Sequence, residues 1–176
     1  HLPKSVSINI SPVVHNFTCH IKEIVGIVSS YTLDTAIEIE FTEAAFSESL
    51  TEEQLDFMRR LFNEVNILLA IDDFGVEYSS MSRLIDYSID TLKIDKSLVD
   101  YLDESFVNAD KSDRALAVLS SMVSIAKKLD IIVVAEGVET EAQFKLIKDI
   151  GCDLIQGYYF YKPMPLSEIS KIPFEK

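Results

Sequence analysis

The sequence has few of the features that mark disulfide-stabilised, secreted or membrane proteins. Its 176 residues include only two cysteines, Cys19 and Cys152, which stand far apart among apolar residues and exclude a disulfide framework. No apolar run approaches the roughly 18 residues of a membrane span, and no signal sequence opens the chain. We therefore expect a cytoplasmic protein, either by itself or as the cytoplasmic part of a longer sensor.

Basic residues are also scarce, since 16 lysines and arginines face 29 aspartates and glutamates, for a net charge of −13. That balance excludes a DNA- or RNA-binding surface, and a phosphate ligand would need metal ions. The chain has no Pro/Gly/Ser-rich linker, and 48% of its residues are hydrophobic. We expect one domain over residues 1–176 with a substantial core.

Six β-rich apolar runs alternate with segments of helical period, which predicts an α/β fold with a parallel sheet. The predicted strands are Ser5–Ile10, Ala36–Phe41, Ile67–Ile71, Thr91–Ile94, Ile131–Ala135 and Leu154–Phe160.

The helices are predicted from their apolar stripes and their capping residues. Thr51 with Gln54, and Thr140 with Gln143, have the spacing of capping boxes. The predicted helices are Glu52–Val65, Asp113–Leu129, a third from Thr140 to Gly151, a weaker one at Phe17–Val28 and a short one at Ser79–Tyr87. The polar stretch Asp103–Asp113 is predicted to be a solvated loop, with a partner-binding loop as the alternative.

The run Ile67–Ile71 ends on two adjacent carboxylates, Asp72 and Asp73, before Gly75. Neighbouring carboxylates at the end of a buried strand repel each other and lose hydration. A shared divalent cation would remove that cost.

Every predicted strand has a polar residue at or near its end. The carboxyl ends of parallel strands face one side of the sheet, so these side chains should converge in one crevice. Most of them offer the hard oxygen ligands that Mg²⁺ or Mn²⁺ prefers, and two such ions about 4 Å apart could clamp a phosphodiester. The residues are Asn9, Glu40, Asp72 with Asp73, Lys93 with Asp95, Glu136, and Gln156.

Each of these side chains also has a purely structural alternative. Asn9 could cap a turn, and Lys93 could form no more than an ion pair with Asp95. Glu40 alternates with apolar residues, as in a half-exposed strand, so a functional role requires that it point into the mouth of the barrel.

Six short blocks stand in order along nearly the whole chain, and together they resemble the EAL domain of bacterial cyclic di-GMP phosphodiesterases. They are SINIS at Ser7–Ser11, EFTE at Glu40–Glu43, IDDFG at Ile71–Gly75, LKID at Leu92–Asp95, AEGVET at Ala135–Thr140 and QGYYFYKP at Gln156–Pro163.

The resemblance implies a (β/α)8 TIM-barrel-like domain with one antiparallel strand, which hydrolyses cyclic di-GMP to linear pGpG with two Mg²⁺ or Mn²⁺ ions and is inhibited by Ca²⁺. It implies metal ligands at Asn9, Glu40, Asp72, Asp73 and Glu136. Catalysis would rest on Asp72, Glu136 and on Lys93, which positions the attacking water. Residues that contact the substrate or support the site would be Glu43, which steadies the loop after IDDFG, with Asp95, Glu139 and Gln156.

Two departures from the family pattern bear on activity. The Glu-Ala-Leu motif that names the family, with its metal-binding glutamate, does not precede the Asn9 strand. With six strands visible of eight, we expect an amino-terminally truncated, incomplete barrel. Glu77 stands where the family has glycine, and its carboxylate beside a phosphate site predicts a poor enzyme.

Three functions remain open at this level. The first is a metal-dependent phosphodiesterase, and the second is a degenerate domain that acts as a cyclic di-GMP receptor or interaction module. The third is a barrel aldolase with Lys93 as Schiff-base nucleophile, which an acidic residue nearby would disfavour. We expect a homodimer, or further domains of a longer chain.

Overall fold

The computed structural model describes residues 5–10, 17–31, 35–43, 50–76, 84, 88–103, 108–169 and 171–172. Six strands form one sheet in sequence order, and all five described pairings are parallel. The strands are β1 Ser5–Asn9, β2 Ala36–Thr42, β3 Ile67–Phe74, β4 Thr91–Ile94, β5 Ile132–Ala135 and β6 Leu154–Ile155. The predicted α/β fold is confirmed, as a curled half-barrel.

Helices follow the strands along the chain. The described helices are α1 Phe17–Ser29, α2 Glu52–Val65, α3 Lys96–Asp100, α4 Ala109–Lys128, α5 Glu141–Asp149 and α6 Leu166–Ile169. The two predicted capping boxes are present, at Thr51 with Gln54 and at Thr140 with Gln143. None of the described helices has the length and apolar character to cross a membrane.

The alternation along β2 shows how the sheet separates its two faces. Ile39 and Phe41 are 1% and 0% exposed and belong to the hydrophobic core. Glu38 and Glu40, on the opposite face, are also buried, at 8% and 3% exposed. The concave face of the sheet is therefore polar at this strand although it is shielded from solvent.

The last predicted strand, Leu154–Phe160, is wrong beyond Ile155. Gly157 lies against the backbone of Val138, where even a Cβ atom would collide with main-chain atoms. The chain then turns, with the Phe160 amide donating to the Gly157 carbonyl and the Tyr159 amide to the Val138 carbonyl. The aromatic residues suggested a strand by their β propensity, but this turn ends it.

The predicted loop Asp103–Asp113 is wrong in its second half, because α4 begins at Ala109. Asn108 caps this helix and accepts a hydrogen bond from the Lys111 amide at 3.0 Å. The first turn carries no apolar stripe, so the sequence pattern predicted a start at Asp113. At the other end Leu129 is 39% exposed and lies outside the core.

Two sequence-based expectations lie outside the described residues. These are the consequence of Glu77 and the short helix Ser79–Tyr87, of which only Leu84 is described.

Candidate metal-binding active site

A break in the regular strand geometry brings the carboxylates of Asp72 and Asp73 close together. Adjacent side chains of a regular strand point to opposite faces. Here the pairing of β3 with β4 shifts register between Ile71 and Phe74, and Asp73 adopts a left-handed φ of 56°. Such a bulge re-aims the side chains next to it. Oxygen atoms of Asp72, Asp73 and Glu136 consequently lie within 4.8 Å of one another.

The predicted convergence of the strand ends is present in the structure. An open cavity of about 660 Å³ lies within the curl of the sheet, and all six strands contribute to its lining. Its polar lining includes six of the side chains singled out by sequence: Asn9, Glu40, Asp72, Lys93, Glu136 and Gln156.

Lys93 occupies the centre of the acidic cluster. Its Nζ atom lies 2.7 Å from a Glu136 oxygen, 2.9 Å from Glu40 and 3.0 Å from Asp72. The Lys93 side chain is only 8% exposed. Glu40 therefore points into the mouth of the barrel, as its functional interpretation required.

The surroundings of the cluster shift three pKa values. Burial lowers the pKa of Lys93, but hydrogen bonds to Glu136, Glu40 and Asp72 outweigh it, and the net pKa is raised. Burial raises the pKa of Glu136 despite its contact with Lys93. Burial and the charge of Asp72 also raise the pKa of Asp73. The three carboxylate contacts favour the ammonium form of Lys93, which disfavours the Schiff-base nucleophile of the aldolase hypothesis.

The remaining predicted side chains surround this cluster. Glu43 Oε2 accepts a hydrogen bond from the Gly75 amide at 3.3 Å, which ties it to the turn after Phe74. Asp95 is the N-cap of α3 and accepts from the Ser97 amide at 2.8 Å. Within the described residues, no ion pair joins Asp95 to Lys93.

Glu139 lies at a neighbouring cavity of about 1410 Å³, which it lines together with Glu136 and Gln156. Its carboxylate is paired with Lys96 Nζ at 2.6 Å. The sequence did not indicate this partner, because 43 residues separate the two side chains.

The sequence also missed Glu38, which lies deeper inside the curl. It accepts hydrogen bonds from Ser7 Oγ at 2.8 Å and from Thr91 Oγ1 at 2.5 Å. Its position two residues before Glu40 on the same strand face was the signal that could have revealed it.

The donor chemistry fits a divalent cation. The carboxylates of Asp72, Asp73 and Glu136 are hard oxygen ligands within reach of one centre, and Glu40 and Asn9 line the same cavity. Because the acids outnumber the single ammonium group of Lys93, the cluster retains an attraction for positive charge.

The fold and these side chains define an α/β-barrel domain with an acidic cluster at the carboxyl ends of its strands. The sequence profile of the EAL domain matches residues 2–163, and the chain belongs to the EAL domain family. This confirms the resemblance drawn from the sequence, and the EAL family is a metal-dependent one.

Two curated relatives and one solved structure illustrate the similarity. The chain is 40% identical to the oxygen sensor protein DosP of Escherichia coli, over 135 residues that cover 76% of this chain and 16% of DosP. It is 34% identical to the cyclic di-GMP phosphodiesterase NbdA of Pseudomonas aeruginosa, over 77% of this chain and 16% of NbdA. The chain therefore spans about a sixth of the length of these two relatives.

The solved structure is the manganese and cyclic di-GMP complex of Klebsiella pneumoniae BlrP1. It superposes with a TM-score of 0.67 at 28% identity, over 88% of this chain and 38% of that chain.

Proposed function

We propose that the chain is a cyclic di-GMP phosphodiesterase domain that hydrolyses cyclic di-GMP to linear pGpG with divalent metal ions. The observation that carries the proposal is the cluster of Glu40, Asp72 and Glu136 around Lys93, with Asp73 beside it. The substrate class is taken from NbdA, a cyclic di-GMP phosphodiesterase, and the choice of manganese from the BlrP1 complex.

The metal would be held by the carboxylates of Glu40, Asp72, Asp73 and Glu136 and by the amide oxygen of Asn9. Asp72 is central to this set, because it contacts Lys93 and also lies beside Asp73 and Glu136. Bound Mg²⁺ or Mn²⁺ supplies Lewis-acid activation of a phosphodiester and lowers the pKa of a water molecule. Ca²⁺, which is larger, fits the oxygens but supports turnover poorly.

Lys93 acts as a hydrogen-bond donor in this scheme. Nζ donates to three carboxylates, and from this position it would orient the attacking water and neutralise charge that develops on the phosphate. Its three carboxylate contacts hold Nζ at a defined place and leave it little freedom to reorganise.

The larger cavity suits the nucleobases of the substrate. Tyr158 and Tyr161 line it, and Lys162 Nζ stands 5.5 Å from the centre of the Tyr158 ring. Aromatic faces stack on purine bases, and a cation adds attraction for phosphate. We place Glu139 and Gln156 on the substrate side of the site and assign Glu43 to support of the turn after Phe74.

The domain is proposed to comprise residues 1–176 and to act in the cytoplasm within a longer signalling protein. The proposal is tested by incubating the protein with cyclic di-GMP and Mn²⁺ and separating the nucleotides by chromatography. We expect pGpG to form, and to vanish with a chelator or in Asp72→Asn. Asp56→Asn, at an exposed position of α2, serves as the matched control and should leave turnover unchanged.

The same assay distinguishes the receptor alternative, which Glu77 and the lack of a Glu-Ala-Leu motif in this sequence favour. A receptor would bind cyclic di-GMP without forming pGpG. Absence of both binding and product would contradict the phosphodiesterase and the receptor alike.

A further inference from the structure

Glu38 is a buried carboxylate that the reaction described above does not use. It is 8% exposed and lies on the concave face of the sheet, beneath the acidic cluster. Removing a carboxylate from water is costly unless it is hydrogen-bonded. Its partners are the Ser7 and Thr91 hydroxyls, each of which donates to one of its two oxygens.

These three residues lie on three strands that each contribute a residue to the candidate site. Ser7, Glu38 and Thr91 belong to β1, β2 and β4. Each stands two positions before a residue of the site on the same strand face, and those site residues are Asn9, Glu40 and Lys93.

The contact from β2 to β4 passes over β3, and the sequence provides room for it. Ala70 pairs with Glu40 on one side and with Thr91 on the other. It offers only a methyl group on this face, and it is fully buried.

The tie to β1 matters because that strand is exposed. All five residues of β1 are solvent-exposed, and its described sheet partner is β2 alone. A backbone ladder on one side leaves a strand free to fray. The Ser7 hydroxyl adds a charge-assisted bond to that ladder, at the position whose Cα is paired with Glu38.

We propose that Glu38 is a positioning residue for the metal-dependent site, an inference that rests on the proposed function. It fixes β1 and β4 relative to β2, and thereby sets the distances among Asn9, Glu40 and Lys93. Glu38 itself contacts neither substrate nor metal in this role.

Two readouts on Glu38→Ala test the proposal. The first is hydrogen exchange of the Ser5–Asn9 amides, measured relative to those of α2. The second is Mn²⁺ affinity by calorimetry. We expect β1 exchange to rise about tenfold and Mn²⁺ affinity to fall about tenfold, the lower range for losing a residue that supports metal ligands. Glu38→Gln, which can still bond both hydroxyls, should restore most of both values.

Asp153→Asn is the matched control, because it removes a carboxylate contact to a strand that Glu38 does not contact. Asp153 precedes β6 and accepts a hydrogen bond from the Val133 amide of β5 at 2.9 Å. This variant should lower overall stability without changing β1 exchange relative to α2, or Mn²⁺ affinity. Ser7→Ala removes only the β1 half of the Glu38 contacts and should raise β1 exchange even if Glu38→Ala does not fold.

The proposal is overturned if Ser7→Ala and Glu38→Ala leave β1 exchange as in the wild type, or if Asp153→Asn matches them in both readouts. Unchanged Mn²⁺ affinity in Glu38→Ala, with wild-type binding intact, also overturns it. If the wild type binds no Mn²⁺, the proposed function fails, and the exchange measurement then decides whether Glu38 fixes β1.

Discussion

At the scale of single residues, the central feature is one ammonium group among several carboxylates. Lys93 contacts Glu40, Asp72 and Glu136 at 2.7 to 3.0 Å with its side chain almost fully buried. Removing one partner of a buried charged cluster leaves uncompensated charge of the other sign. The carboxylates that contact Lys93 are also proposed metal ligands, so Lys93 and a bound metal ion would offset the same negative charge.

Replacing Lys93 should separate turnover from metal binding. In Lys93→Ala we expect kcat to fall about 10²-fold, the range for one lost donor to developing charge, with cyclic di-GMP affinity nearly unchanged. Mn²⁺ affinity should rise, because the acids lose their ammonium partner. Steady-state kinetics and calorimetry measure both, with Lys128→Ala, at an exposed position of α4, as control. Parallel loss of substrate affinity and kcat would instead indicate a binding role for Lys93.

Individual site residues could be predicted from the sequence where the direction of the strands alone determined their location. The rule that strand carboxyl ends converge placed Asn9, Asp72, Glu136 and Gln156 at one cavity. The rule could not decide whether Glu40 points into the barrel, because the alternation of polar and apolar residues along β2 also fits a half-exposed strand. Both faces of β2 are buried because the sheet curls, and that curvature comes from packing across strands that local sequence does not encode.

At the scale of the elements, the bulge at the end of β3 is the device that forms the site. A regular strand would direct Asp72 and Asp73 to opposite faces. The left-handed φ of 56° at Asp73 avoids this, at a backbone cost of about 1 kcal/mol for a residue with a Cβ. The structure retains a strained backbone where two carboxylates must meet.

Replacements at Asp73 should expose this cost. In the presence of a chelator, Asp73→Gly should be about 1 kcal/mol more stable than Asp73→Ala, since only glycine adopts the left-handed region freely. Both should bind Mn²⁺ more weakly than the wild type. Urea denaturation gives the free energy of unfolding for the pair. Equal stability of the two would mean that the left-handed backbone does not persist in solution.

A second element-level contact joins α2 to the start of β3. The Asp90 carboxylate accepts hydrogen bonds from both terminal nitrogens of Arg59, at 2.6 and 3.0 Å, and from the Leu69 amide at 2.8 Å. Burial raises the pKa of Asp90, but Arg59 and the Leu69 amide outweigh it, and the net pKa is lowered.

The lowered pKa gives the contribution of Asp90 a defined pH dependence. A carboxyl whose native pKa lies below its unfolded value of about 3.9 stabilises the fold above that pH, and the contribution is lost as pH falls through the native pKa. Asp90→Asn should therefore cost about 1 to 3 kcal/mol at pH 7, and the difference should shrink below about pH 4.

Urea denaturation of both proteins from pH 7 to pH 3 measures this dependence. Asp110→Asn, which removes an exposed ion pair with Arg114, should show no measurable change at any pH. A difference for Asp90→Asn that is constant down to pH 3 would refute the role of the charge.

The elements themselves were predictable in proportion to the strength of their local signals. The box of Thr51 and Gln54 and the apolar stripe after it placed α2 to the residue. The start of α4 depends on one cap, Asn108, before a polar turn, and was missed. The end of β6 depends on Gly157 meeting Val138, a contact between segments that local patterning does not show.

At the scale of the whole molecule, the sheet is open. Among the described strands, β1 and β6 each pair on one side only, and their exposed apolar residues include Ile8 at 46% and Leu154 at 56%. Unpaired strand edges with apolar side chains are templates for association. A closed barrel has no such edges.

We therefore expect the 176-residue chain by itself to associate with a second copy or to aggregate. Light scattering coupled to size-exclusion chromatography gives its molar mass. Values at or above twice 19.9 kDa are expected. A well-folded monomer that stays at 19.9 kDa over a range of concentrations would show that the exposed edges are tolerated.

The proposed function requires that the acidic cluster be a divalent-metal site. Calorimetric titration of the protein with Mn²⁺, alongside Asp72→Asn, tests this most directly, because Asp72 lies beside Lys93, Asp73 and Glu136 at once. We predict saturable Mn²⁺ binding in the wild type and an affinity at least about tenfold weaker in the variant. Binding of equal strength in both proteins, or none in the wild type, would contradict the account.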